Sequence, residues 1–163
     1  MKTYAYAAAF EPTEREGGFV VTFPDVPEAI TEGDDMADAR EQAADALGVG
    51  LLTYLEMGRE LPEAKASGEM ITPDADVAMK IALIETFRAS GITRMELARR
   101  IGKDEKEARR MLDPGKSTKL PLMAAALAAM GGGTTVSTTV GTRCRRTSSP
   151  PADAICAITN PRR

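Results

Sequence analysis

Between Gly17 and Gly33 the chain leaves little choice of fold. Phe19, Val21 and Phe23 alternate with Val20 and Thr22, the period of a β-strand with one buried face, and Gly17-Gly18 ahead of them permits a tight hairpin entry. Pro24 ends that strand because proline has no N–H to give to a ladder, and Pro24 with Pro27 brackets an acidic turn. Ala29 to Glu32 then reads as another short strand, running into Gly33 and a helix start at Asp34-Asp35. Upstream, Tyr4, Tyr6, Ala8 and Phe10 fall on alternate positions and predict a first strand, joined to the second through the turn of Glu11 to Gly18. A three-stranded meander that feeds a helix is the expected start.

The helix predicted from Asp34 or Asp35 to about Met57 carries Met36, Ala39, Ala43, Leu47, Gly50, Leu51 and Tyr54 on one face, small where it must approach the sheet, and Gly58 stops it. From Arg59 to Asp76 the chain is polar, with Pro62, Ser67, Gly68 and Pro73, and only Glu69 to Thr72 offers a short edge strand. The fold class expected is therefore α+β, with a β-β-β-α(-β) two-layer domain over residues 1–68, a linker over 69–76, and an all-α unit over 77–131. That second unit opens with a helix facing inward through Val77, Ile81, Ile84 and Phe87 and ending at Ser90-Gly91. Thr93 with Glu96, and Asp104 with Glu107, have the spacing of two capping boxes, and Gly102 separates the helices that they start. Ala98, Ala108 and Met111 sit where such a pair would cross, the spacing of a helix-turn-helix. A last helix is expected from about Thr118 to Met130, with Pro121 in its first turn. The tail, 132–163, changes to Thr, Gly, Arg, Ser and Pro, and no packed structure is expected after about Val140; a change of reading frame in the gene and a basic nucleic-acid-binding tail are the competing accounts of it.

Charge divides along the chain. Residues 1–68 hold 5 Lys/Arg against 14 Asp/Glu, a net of −9, residues 69–130 hold 11 against 9, and residues 131–163 hold 5 against 1. An acidic first half and a basic second half point to two partners of opposite charge. The plain alternative is an uneven but passive surface. No apolar run has the length of a membrane span, and Met1-Lys2-Thr3 leads into a strand pattern in place of a signal peptide, so a cytoplasmic protein is expected. With no histidine, and with Cys144 and Cys156 both in the tail, neither an imidazole base nor a structural zinc site is expected.

Gly18-Phe19-Val20-Val21-Thr22-Phe23-Pro24-Asp25-Val26-Pro27, followed by Ala29-Ile30-Thr31-Glu32-Gly33-Asp34, resembles the N-terminal signature of the HicB family of type II antitoxins. The likeness runs through the Ala-rich helix and, more weakly, to about Met130. Leu97 to Leu112, and Arg110-Met111-Leu112-Asp113-Pro114 with Thr118-Lys119-Leu120, resemble the Cro/repressor type of helix-turn-helix found at the C-terminus of many members, with Ala108 where a branched aliphatic residue is more usual. The resemblance implies a degraded RNase H-like fold for the first domain, no catalysis and no cofactor. It implies a chain that sequesters a HicA-type RNA-cleaving toxin and represses its own operon; because one short helix reads only a half-site, a homodimer or tetramer is expected.

Two groups of residues carry that expectation. Residues 88–119 contain 10 Lys/Arg against 5 Asp/Glu, and Lys103, Lys106, Arg109, Arg110, Lys116, Thr118 and Lys119 are the candidates for operator DNA, with Arg109 reading a guanine edge and the lysines holding phosphates. The alternative is a solvated helix whose basic residues pair with Glu105 and Glu107. Asp25, Glu28, Glu32 and Asp34 are the candidates for covering a cationic toxin face. Read as metal-binding carboxylates, Asp25, Glu28, Asp34 and Asp35 would instead make a nuclease, but all lie at turns or a helix cap where acids are favoured for local reasons. A stand-alone repressor whose first domain senses another signal is the remaining alternative.

Overall fold

A computed structural model of the chain describes residues 3–14 and 17–131, and the expectations for the tail, its two cysteines included, lie outside the described residues. The elements are β1 (Tyr6–Pro12), β2 (Phe19–Thr22), β3 (Ile30–Gly33), α1 (Met36–Glu56), β4 (Glu69–Ile71), α2 (Ala75–Ser90), α3 (Arg94–Ile101), α4 (Glu105–Met111) and α5 (Leu120–Ala129). The class is α+β, as the sequence implied.

The strands form one antiparallel sheet in the order β3-β2-β1-β4, so the short fourth strand crosses to the far side of β1. It falls inside the stretch 69–76 read as a linker. Helix α1 covers one sheet face. Asp35 starts it with a side-chain oxygen that accepts from the N–H groups of Ala37 and Asp38 at 2.8 and 2.9 Å, satisfying donors that the first turn leaves unpaired. Ala39, Ala43, Leu47, Leu51 and Tyr54 meet Val21, Phe23 and Tyr6 in the first core, with Val26 and Ala29 of the proline turn closing its end. Small residues at the crossing matter most at Gly33, where an added Cβ would lie 2.3 Å from the Ala39 nitrogen. Strand and helix backbones touch there, which is why no side chain fits.

Helix α2 belongs to two cores. Its Ile81 and Ile84 complete the first, while Leu83 packs with Leu97, Met111, Met123, Ala126 and Leu127 in the second. Tyr4 donates to Glu85 Oε2 at 2.7 Å, and Arg88 donates to the Leu55 carbonyl at 2.6 Å, which tie α2 to the β1 approach and to the end of α1. Burial and the Glu85 hydrogen bond hold the Tyr4 hydroxyl far above the usual phenol range.

The second core is built from short helices whose ends are locally specified. Thr93 Oγ1 accepts from Glu96 N at 3.1 Å and Asp104 Oδ1 accepts from Glu107 N at 2.7 Å. Glu96 does not complete the reciprocal box. Its carboxylate instead takes Arg99 at 3.0 Å and Arg100 at 2.8 Å, and those two guanidiniums hold it well below the usual range, at about 2. Gly102 ends α3 in the left-handed conformation, with φ 64°, allowing the reversal into α4. Ala108, fully buried, fits the α3–α4 crossing. Helix α5 starts at Leu120, later than the Thr118 expected, because Thr118 is held in the preceding loop.

That loop is pinned from below. Lys80, 5% exposed, donates to the carbonyls of Met111 and Lys116 at 2.6 and 2.9 Å and to Thr118 Oγ1 at 3.1 Å. Burial lowers its pKa, partly opposed by Asp113.

Candidate functional site

On the basic side, α4 presents Lys106 outward, on the face opposite buried Ala108 and Met111. Arg110, one turn later, lies beside it and lines an open groove of about 510 Å³ with Lys103, Ser117, Thr118 and Lys119, with the carboxylate Glu107 among them and Ile101, Met111 and Leu122 as its apolar lining. Four of the seven DNA candidates therefore share one groove between α4 and α5. Arg109 leans the other way, into a cleft of about 400 Å³ shared with Arg88, Arg94, Glu56 and Asp113. Lys116 lines a third hollow beside Lys80. Thr118 is half-buried and engaged by Lys80, so its hydroxyl also orders the loop.

The pairing alternative does not hold for these cations. Among the described residues, Lys103, Lys106, Arg109, Arg110, Lys116 and Lys119 form no ion pair, with Glu105 and Glu107 or otherwise, whereas Arg99 and Arg100 are both committed to Glu96. Unpaired, exposed cations keep their full attraction for phosphate. Sequence reasoning missed Arg94, which opens α3 and joins Arg109 in its cleft. It also missed Lys80, whose i+3 spacing from Val77 was the available signal.

The acidic candidates divide in two. Asp25 is half-buried, and its Oδ2 accepts from the Lys65 and Ala66 N–H groups at 2.9 and 2.8 Å, fastening the return loop after α1. Glu28 receives the Tyr54 hydroxyl at 2.6 Å and lies 3.5 Å from Arg59, whose guanidinium stacks 4.4 Å over the Tyr54 ring. The Tyr54 hydrogen bond first, then one from the Glu28 backbone N–H, with a smaller contribution from Arg59, lowers the Glu28 pKa. Glu32 and Asp34, by contrast, are exposed at the far end of β3, where Asp34 contributes its N–H to Asp38 Oδ2 at 2.9 Å. Among the described residues no group of three or more His, Cys, Asp or Glu side chains could hold a metal ion, and no helix is long and apolar enough to cross a membrane.

Residues 5–82 match the family model described as the HicB_like antitoxin of bacterial toxin-antitoxin systems. Antitoxin HicB 1 of Photorhabdus laumondii is 36% identical over 132 residues, covering 80% of this chain and 84% of the relative. The chain belongs to the HicB-like antitoxin family. Antitoxin HicB of Escherichia coli K12 is similar at 38% identity, over 71% of this chain and 86% of that one, and Antitoxin HicB 2 of P. laumondii at 37%, over 80% and 93%. As a HicB-like chain it is an antitoxin of a toxin-antitoxin system, and these relatives point to a regulatory role without catalysis. The family match ends inside α2, at the helix whose Ile81 completes the first core.

Proposed function

We propose that this chain neutralises a HicA-type RNA-cleaving toxin by direct binding through its acidic first domain and represses its own operon through α3 and α4, acting as a helix-turn-helix. The observation that carries this reading is the contrast between the halves: 14 acids against 5 bases before residue 69, and exposed basic residues without ion pairs on and around α4 after it. A protein that cleaves RNA must present a cationic face to phosphate, and an acidic surface both covers that face and repels its substrate. Lys103, Lys106, Arg110 and Lys119 hold backbone phosphates, Arg109 swings out of its cleft beside Glu56 and Asp113 to reach a base edge, and two copies place two α4 helices on a two-fold operator.

The test is co-expression with a HicA-type toxin, and a gel shift on the DNA upstream of the gene. Capture of that protein and a retarded operator band are expected. Failure to capture it at low salt would remove the antitoxin mechanism, and failure to shift the upstream DNA would remove autorepression.

A further inference from the structure

The sheet face turned away from α1 is lined by two cross-strand rows. Register places Glu11 opposite Val20 and Val20 opposite Glu32, and places Ala9 opposite Thr22 and Thr22 opposite Ile30. Because side chains alternate, these residues share the face that α1 does not cover. Val20, Thr22 and Ala9 are half-buried, Ile30 is 62% exposed, and Met70 of β4, on the same face, is 50% exposed. The result is an apolar strip lying beside two carboxylates about 10 Å apart, two ladder steps of the sheet. Neither Glu11 nor Glu32 forms an ion pair among the described residues, and no basic residue stands in either row. Strand β3 is also an edge of the sheet, so its outer backbone groups are open to pairing.

We infer that this outer face and the β3 edge, rather than the proline turn, are where the cationic protein partner docks. The inference rests on the toxin-binding reading above and deepens it. Asp25 and Glu28 are already spent on internal hydrogen bonds, and turning them toward a partner would break contacts with Lys65, Ala66 and Tyr54. Glu11 and Glu32 carry no such obligation. A second copy is the wrong occupant, because symmetric pairing would set these carboxylates against each other beside an already acidic domain. A basic ridge fits: its charges meet the Glu11–Val20–Glu32 row while its apolar flank covers Thr22, Ile30 and Met70.

The full-length chain co-expressed with the toxin tests this. Glu11→Lys with Glu32→Lys is expected to weaken toxin capture at least about 30-fold, and Ile30→Asp to weaken it comparably, while Glu28→Gln stays within about threefold of wild type and all variants retain their operator gel shift. The milder Glu11→Gln with Glu32→Gln keeps shape and guards against misfolding; it is expected to flatten the salt dependence of capture. If wild type binds the toxin and both glutamate pairs leave affinity and salt dependence unchanged, the sheet face is not the dock, while the antitoxin mechanism stands. If Ile30→Asp instead turns an oligomer into a monomer in sedimentation and spares toxin capture, the face is a self-interface and the inference is wrong. If wild type captures no toxin, both fall together.

Discussion

Replacing Gly33 by alanine drives a methyl group into the backbone of α1. The new Cβ would lie 2.3 Å from Ala39 N, 2.4 Å from Ala39 Cα and 2.9 Å from Ala39 Cβ, against an ordinary contact of 3.4–4 Å. No flexible side-chain end is available to swing aside, so β3 and the first turns of α1 must separate by about 1 Å, opening the packing around Ala39 and Ala43, both fully buried. Overpacking costs about 1–3 kcal/mol, and a rigid backbone obstacle belongs at the upper end, near 3 kcal/mol. For a chain of this size that is a fall in Tm of about 10 °C. Gly50→Ala is the matched control. Its Cβ would sit 3.3 Å from Val26 Cγ1 and 3.4 Å from Ala29 Cβ, a tight but yielding contact, and the helix interior gains about 0.5–1 kcal/mol from losing a glycine. Gly50→Ala should therefore melt within about 3 °C of wild type. Thermal circular dichroism with urea unfolding measures both. Equal Tm values for the two variants would refute the claim that close backbone approach is what demands glycine at position 33.

Lys106→Ala with Arg110→Ala should lower operator affinity and reduce the salt slope by nearly 2, as expected for losing two phosphate contacts, and an unchanged slope in salt-titrated gel shifts would count against them. Arg109→Ala with Arg110→Ala should lower affinity and also relax discrimination against changed guanines, read by competition with point-mutated operators. Asp35→Ala removes the acceptor for two N–H groups of α1 and should cost about 1 kcal/mol in urea unfolding, with Asp35→Asn restoring most of it. Lys80 has a lowered folded-state pKa, so the unfolded chain binds more protons and stability should rise as pH climbs toward the ordinary lysine value of 10.5, then level off above it. The rise should be absent in Lys80→Met, and parallel pH profiles in the two proteins would refute it.

What could be read from the sequence was local chemistry. Pro24, Gly58, Thr93, Gly102 and Asp104 act within a few residues of themselves, and the strand and helix boundaries they set recur in the structure to within a residue or two. The short edge strand expected within Glu69 to Thr72 recurs as β4, but its place beside β1 was hidden, because its three residues pair with β1 and not with a neighbour in sequence. The basic residues of 103–119 were visible as a charge excess, but their division between grooves depends on how α4 meets α2 and α5. Composition likewise showed an acidic first half without showing which carboxylates are engaged. Only the register separates Asp25 and Glu28, bound to their own chain, from Glu11 and Glu32, aligned on an open face.

Helix α2 alternates its loyalties within a single turn, with Ile81 and Ile84 on one side and Leu83 on the other. Melting either neighbour strips a wall from the other, so calorimetry should record one shared transition and not a pair. Under the proposed function, a protease that opens either core would then end toxin capture and operator binding in the same event.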